Sequence, residues 1–231
     1  MNSKPLAGLA VMLFLCLFSH AQGADPKQAM AKIKQNLDAS MKALAGYEWT
    51  ETTTIFKGNE AKSKKQNKCM YSADGKVVKT PIADPSAAKE KDPRGVRGKI
   101  AENKKEEISD YVKKSVARIH EYLPPQSDKL QAIYGAGKTK IQVLEPNKRY
   151  KLDFPDYKQT GDLLGVSLDL AKGLLGGVTV NTYVDKPSDK ISFQLTFAQL
   201  TDGTEYPSEI VLDLPSQGMK VVIKNDSYIK R

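Results

Sequence analysis

Cysteine and histidine, the side chains that build most zinc sites, are scarce in this sequence: its 231 residues include two cysteines and two histidines. Cys16 and His20 fall in an N-terminal segment that we expect to be removed, which leaves Cys69 and His120. One residue of each type can form neither an intramolecular disulfide nor a zinc site built from several such ligands. We therefore expect no metal and no cofactor, and a hydrophobic core must supply the stability of the folded chain.

The N-terminal segment has the three-part layout of a secretory signal peptide. Lys4 precedes an apolar run at residues 6–18, and small residues follow up to Gly23. The apolar run is too short for a confident membrane span. We expect residues 1–23 to be cleaved and the mature protein to be periplasmic or secreted. Removing Lys4 with this segment lowers the formal net charge from +9 to +8, so the mature chain stays basic.

Apolar residues recur at every second position through the last third of the chain. The clearest runs are residues 178–184, 191–197 and 219–223. A period of two predicts strands with one apolar face, and short turn segments between the runs predict antiparallel pairing. Three further strands are predicted at residues 47–56, 61–72 and 76–82, where β-branched, aromatic and alternating residues are frequent.

Helical spacing appears in two regions. Asp25 and Pro26 form a start signal, and a stripe with spacings of three and four follows, made of Met30, Ile33, Leu37, Met41 and Leu44. After a stretch rich in proline, lysine and aspartate at residues 83–98, two helices are predicted as an insertion at about residues 99–135.

These elements predict one α+β domain over residues 24–231. Its sheet is expected to be strongly curved, mostly antiparallel and open, an unclosed barrel, with an N-terminal amphipathic helix and an inserted helical pair.

A phosphate-binding loop is suggested by residues 132–139, Ala-Ile-Tyr-Gly-Ala-Gly-Lys-Thr. Such a loop needs a strand before it and a helix after it, so that the helix N-terminus points at the phosphates. Here a predicted helix enters and a predicted strand leaves. We therefore do not expect nucleotide binding.

A hydrolytic enzyme would require Cys69, His120 or a carboxylate pair to converge in a cleft. Cys69 falls in a predicted strand, where a small buried hydrophobe is the better interpretation, and His120 lies near the end of a predicted helix. Acidic pairs such as Asp162 and Asp169 lie in turn contexts that favour solvation. We expect no catalytic residue and no enzymatic activity.

Lysines are concentrated between residues 57 and 105. Lys62, Lys64 and Lys68 alternate along one predicted strand and would share a face. Such a patch can dock an anionic membrane or envelope surface, or it can simply be a solvated face. Nucleic acid is not expected as a partner, because no base-stacking aromatics interleave with these lysines.

The predicted sheet has more apolar surface than one helix can cover. This leaves room either for a hydrophobic ligand or for filling by the protein's own side chains. The residues that we expect to line a ligand site are Trp49, Val180, Phe193, Leu195, Phe197 and Ile210.

The order of signal peptide, amphipathic helix, strand meander, helical insertion and longer meander resembles the periplasmic lipoprotein-carrier (LolA-like) fold. Residues 47–54, 65–71 and 74–81 also look like a set of exported bacterial proteins of unknown function. The first resemblance implies a carrier that holds acyl chains or a lipoprotein on its apolar face. The alternative is a non-enzymatic envelope protein that docks an anionic surface through its lysines.

Overall fold

The computed structural model describes residues 26–82 and 96–231, with side chains described for residues 31–82 and 106–231. The predicted signal peptide and most of the stretch at 83–98 lie outside the described residues. The helices are α1 (Pro26–Leu44), α2 (Val96–His120) and α3 (Ser127–Gly135). Within the described residues, none of these helices is both long and apolar enough to cross a membrane.

Ten strands form a single sheet in the described part of the chain. They are β1 (Tyr47–Lys57), β2 (Glu60–Tyr71), β3 (Val77–Pro81), β4 (Lys140–Glu145), β5 (Arg149–Pro155), β6 (Leu163–Asp169), β7 (Leu174–Tyr183), β8 (Lys190–Gln199), β9 (Glu205–Leu214) and β10 (Met219–Lys230).

The strand order is β3-β2-β1-β10-β9-β8-β7-β6-β5-β4, and every neighbouring pair is antiparallel. β10 lies beside β1 and joins the first meander to the second. β3 and β4 are the two edges, and within the described residues they do not pair with each other, so the sheet is not closed into a barrel. Since α2 and α3 lie between these edge strands in the chain, the predicted open α+β fold with a helical insertion is confirmed.

One face of the sheet carries the hydrophobic core, and we call it the core face. Directly paired residues share a face, and one such row crosses seven strands. Its members, from β5 to β1, are Phe154, Leu164, Val180, Phe193, Leu212, Val221 and Ile55. All three helices contribute side chains to the same cluster, among them Ile33 of α1, Ile119 of α2 and Leu130 of α3.

Helix α1 packs on the core face through the predicted stripe. Ile33, Leu37 and Leu44 are buried, and burial of each side chain is worth about 1.5–3 kcal/mol. Two polar contacts fix its position. The Asn36 side chain donates to the Gly173 carbonyl at 2.8 Å, and the Ser40 hydroxyl accepts from the backbone N–H of Glu205 at 2.9 Å.

Helix α2 is tied to the sheet by a buried hydrogen-bond network around Tyr122. The Tyr122 hydroxyl donates to the Asp162 carboxylate at 2.5 Å and lies 2.8 Å from the Thr182 hydroxyl. Asp162 also accepts the backbone N–H groups of residues 157, 158 and 159. Burial raises the pKa of Tyr122, and the hydrogen bond to the Asp162 carboxylate raises it further, so the hydroxyl keeps its proton.

We expect Tyr122→Phe to lower the free energy of unfolding by about 1–3 kcal/mol, because Asp162 and Thr182 then lose a buried partner. The measurement is chemical denaturation at neutral pH. Tyr183→Phe is the matched control, because the Tyr183 hydroxyl is exposed and its contact with the Thr160 carbonyl, at 3.4 Å, is long for a hydrogen bond. Equal stability of the two variants would contradict the assigned role of Tyr122.

Candidate functional site

On the core face, apolar side chains are fully buried on β6 and β7, and many are only half-buried closer to β1. In the row that crosses the sheet, Leu164 of β6 and Val180 of β7 are both 0% exposed. Toward β1 most apolar residues of this face become half-buried. We call this set the half-covered stripe, and its members are Ile55, Phe193, Phe197, Ile210, Val221 and Ile223.

All six residues predicted to line a ligand site lie on the core face. Val180 and Leu195 are packed inside the core, and Trp49 is buried in a separate aromatic group. The other three, Phe193, Phe197 and Ile210, belong to the half-covered stripe. That any of the six contacts a ligand stays a prediction.

Beyond the stripe, a β-bulge in β10 builds a group of aromatic rings. Glu48 pairs with Ile229 but Thr50 pairs with Asp226, so two residues of β10 stand opposite Trp49 alone. The first of these, Ser227, has a φ of 53°. The second, Tyr228, stacks on Trp49 with ring centroids 5.5 Å apart and planes 11° apart.

These rings form part of the wall of a cavity of about 150 Å³, which we call the aromatic cavity. Tyr71 also contacts Trp49, with ring centroids 5.3 Å apart and planes tilted by 45°. The remaining wall consists of three apolar residues and three polar ones. These are Leu44, Val77, Pro207, Glu51, Lys79 and Asn225.

An ion pair between a buried carboxylate and an exposed lysine forms one part of the aromatic cavity wall. Glu51 is 8% exposed, and its two carboxylate oxygens accept from the Lys79 ammonium at 2.7 and 2.6 Å. The Asn67 side-chain amide lies 3.4 Å from the same carboxylate. Because this carboxylate is largely removed from water, the pairing with Lys79 offsets the cost of burying its charge.

Asn225 lies beside Glu51 in the cavity wall, because the two residues are direct partners in the β1–β10 ladder. Its amide nitrogen donates to the Pro207 carbonyl at 2.8 Å, which fixes the orientation of the side chain. Its amide oxygen is buried and has no hydrogen-bond partner among the described residues. Because the surface of this oxygen is inaccessible to water, it does not face the open space of the cavity.

The hydroxyl groups of Tyr71 and Tyr228 stay protonated and therefore uncharged. Burial raises the pKa of Tyr71 and, together with the neighbouring Tyr71 hydroxyl, that of Tyr228. Burial, followed by the charge of Glu51, also raises the pKa of the Cys69 thiol. Cys69 is 0% exposed beneath these rings, which confirms that it is a buried side chain.

The other residues considered as catalytic candidates each have a different structural environment. His120 is exposed at the end of α2, while Asp162 is buried in the Tyr122 network and Asp169 accepts from the backbone of Lys172 in a turn. Across residues 26–82 and 96–231 there is no group of three or more His, Cys, Asp or Glu side chains placed to hold a metal ion. At residues 132–139, α3 ends before β4 begins, the reverse of a phosphate-binding loop.

The three lysines predicted to dock an anionic surface lie on β2. Lys64 and Lys68 are on the face opposite Cys69, and Lys62 lies at a register shift. Lys62 pairs with Glu60 at 2.6 Å and Lys68 pairs with Glu48 at 2.8 Å. Their charge is therefore partly balanced, and docking of an anionic surface stays a prediction.

Sequence patterning missed the polar side of the aromatic cavity. Glu51 lies two residues after Trp49 on β1 and therefore shares its inward face, which is an unusual place for a carboxylate. That signal could have singled out Glu51. Asn225 also continues the inward alternation, two residues after Ile223, whereas Tyr228 carries no such signal, since the bulge that places it depends on pairing with β1.

No protein-family model matches this chain, and no curated protein matches it. Among solved structures it is similar to a DUF1329 family protein from Desulfovibrio piger, with 11% identity, and to a LolA superfamily protein from Nitrosomonas europaea, with 9% identity. Each comparison covers 86% of this chain and 93% of the other, with a TM-score of 0.35. Identities of 11% and 9% with a TM-score of 0.35 describe a loose likeness of overall architecture and say nothing about a shared ligand.

The aromatic group is anchored at its far end by Tyr47, whose ring contacts Tyr228 edge-on with centroids 6.3 Å apart. The Tyr47 hydroxyl donates to the Asp202 carboxylate in the turn between β8 and β9. This bond, followed by N–H donation from Thr204, lowers the pKa of Asp202 to about 2.

A lowered pKa stabilises the folded state above the unfolded-state pKa, near 4, and this contribution is lost as the pH falls toward 2. We expect Tyr47→Phe to raise the pKa of Asp202 and to reduce the loss of stability between pH 4 and pH 2. NMR titration of Asp202 and unfolding at both pH values measure this. In an Asp202→Asn background the same change should have no effect on the pH dependence, and a remaining effect would contradict the assignment.

Proposed function

We propose that this chain is a non-enzymatic binding or carrier protein that holds an acyl chain or another hydrophobic ligand on the core face of its sheet. The observation that supports this is the fall in burial along one continuous face. The row is fully buried on β5, β6 and β7, whereas from β8 to β1 only Leu212 of the row is buried and the half-covered stripe retains exposed apolar surface.

Removing apolar surface from water is favourable by about 25 cal/mol of free energy per Å². A half-buried phenylalanine therefore binds any apolar group that can complete its burial. Phe193 and Phe197 lie four residues apart on β8, and Ile210 on β9 pairs with Leu195, which lies midway between them. These side chains form a contiguous apolar strip. A flexible chain can follow it without needing a particular shape.

The stripe carries no charged residue among its members, which favours the apolar part of a lipid or lipopeptide over a polar solute. We propose that the natural ligand is an acyl chain, either free or carried by a lipoprotein. An exported location remains a prediction from residues 1–23. Docking to an anionic membrane or envelope surface through Lys62, Lys64 and Lys68 is the alternative hypothesis.

Replacing Phe193 and Phe197 together by serine should weaken hydrophobic ligand binding at least tenfold, because completing the burial of the two half-buried rings is worth about 1.5–3 kcal/mol in total. The measurements are native mass spectrometry with organic extraction of the protein purified from a bacterial envelope fraction, and uptake of N-phenyl-1-naphthylamine, whose fluorescence rises in apolar surroundings.

Phe56→Ser is the matched control. Phe56 is also half-buried in the sheet, but it pairs with Lys220 and so lies on the opposite face from Phe193. Denaturation curves must show that all variants are folded at the assay temperature. Unchanged uptake by the folded double variant, or an equal loss in Phe56→Ser, would contradict the proposal.

A further inference from the structure

An open groove of about 660 Å³ lies between the C-terminal end of α1 and the turn that joins β2 to β3. We call it the arginine groove. Two methionines and two alanines make much of its wall apolar. Its lining residues are Met41, Ala45, Met70, Tyr71, Ser72, Ala73, Gly75 and Arg231. No member of the half-covered stripe is among them, so the two surfaces are separate.

The guanidinium group of Arg231 is held in place by neutral acceptors. One nitrogen donates to the Ala45 carbonyl at 2.8 Å and to the Tyr71 carbonyl at 3.3 Å, and the other lies 3.2 Å from the Met70 sulfur. The backbone N–H of Arg231 donates to the Gly46 carbonyl at 2.8 Å. Because these contacts already order a long side chain, an anion that binds the guanidinium does not have to offset the entropy of ordering it.

No carboxylate of the described residues is paired with this guanidinium, since Arg231 takes part in none of their ion pairs. The acidic residue of the β2–β3 turn, Asp74, is paired with Lys76 at 2.7 Å. The carbonyl end of α1 carries partial negative charge, but Lys42 in its last turn offsets it. A thioether sulfur is only a weak acceptor, so a carboxylate oxygen can replace the Met70 sulfur as a stronger partner.

We propose that the arginine groove binds the head of a single-chain amphiphile whose charged group is a carboxylate, as in a fatty acid. The carboxylate accepts from the Arg231 guanidinium, and the first methylene groups of the chain lie against Met41 and Met70. One unpaired positive charge matches one negative charge, which favours a carboxylate over a phosphate monoester with two. Methionine side chains are flexible and polarizable, and they adapt to the shape of an alkyl chain.

Decanoate and decanol are matched probes, because they share the chain length and only decanoate is charged at pH 7. We expect the intact protein to bind decanoate about 5-fold more tightly than decanol, the effect of one partly exposed charge pair, as measured by isothermal titration calorimetry. Arg231→Gln should remove this preference. Lys230→Gln is the matched control, since it removes the same charge from the adjacent residue, which does not line the groove.

The methyl signals of methionine in NMR spectra locate the bound molecule in the intact protein. Met41 and Met70 line the groove, whereas Met219 packs against the hydrophobic core, two residues before Val221 of the half-covered stripe. Decanoate in the groove should shift the signals of Met41 and Met70. A shift of Met219 alone would place the ligand at the stripe instead. Failure of this site and failure of the proposed function are therefore distinguishable.

Four results would overturn the assignment. Decanoate could fail to bind, or it could bind no more tightly than decanol. The preference for decanoate could be lost equally in Arg231→Gln and Lys230→Gln. Decanoate could bind without shifting the methyl signals of Met41 and Met70. Decyl phosphate could bind more tightly than decanoate while shifting the same signals, which would replace the carboxylate with a phosphate group.

Discussion

The pairing of β1 with β10 is the contact on which the rest of this structure depends. It joins residues 47–57 to residues 219–230, nearly the full length of the described chain apart. Without it, the first three strands would form a small meander with one unsupported face. With it, the two meanders become one sheet and their apolar positions form a single row from β5 to β1. Both candidate sites lie on the face that this pairing makes continuous.

The same pairing explains why the two sites differ in chemistry. Along the regular part of the ladder, Ile55 stands opposite Val221 and Thr53 opposite Ile223, and the face stays largely apolar. At the bulge near Ser227 the register changes, and Tyr228 is turned onto Trp49. The apolar stripe ends where Glu51 pairs with Asn225, and the extra residue in β10 then adds the Tyr228 ring to the cavity wall.

Much of the fold could be predicted from the sequence, because local patterns determine it. The alternation at residues 191–197 and the helical spacing from Ile33 to Leu44 each reflect burial of one face, and the structure has a strand and a helix there. The cavity could not be predicted, since it needs the adjacency of β1 and β10 and a shifted register. Neither is visible in any local window, although the inward position of Glu51 was a usable sign.

Burial at the half-covered stripe had the same limit. Alternation shows that Val180 and Phe193 face the core, but it cannot show that helices close over the first and only partly over the second. That difference is set by where α1, α2 and α3 come to lie on the face.

Polar content decides how selective each part of the face can be. A strip of aliphatic and phenylalanine side chains discriminates weakly between apolar ligands, because one methylene group is worth only about 1–3 kcal/mol in a pocket. The half-covered stripe is therefore suited to a range of chains.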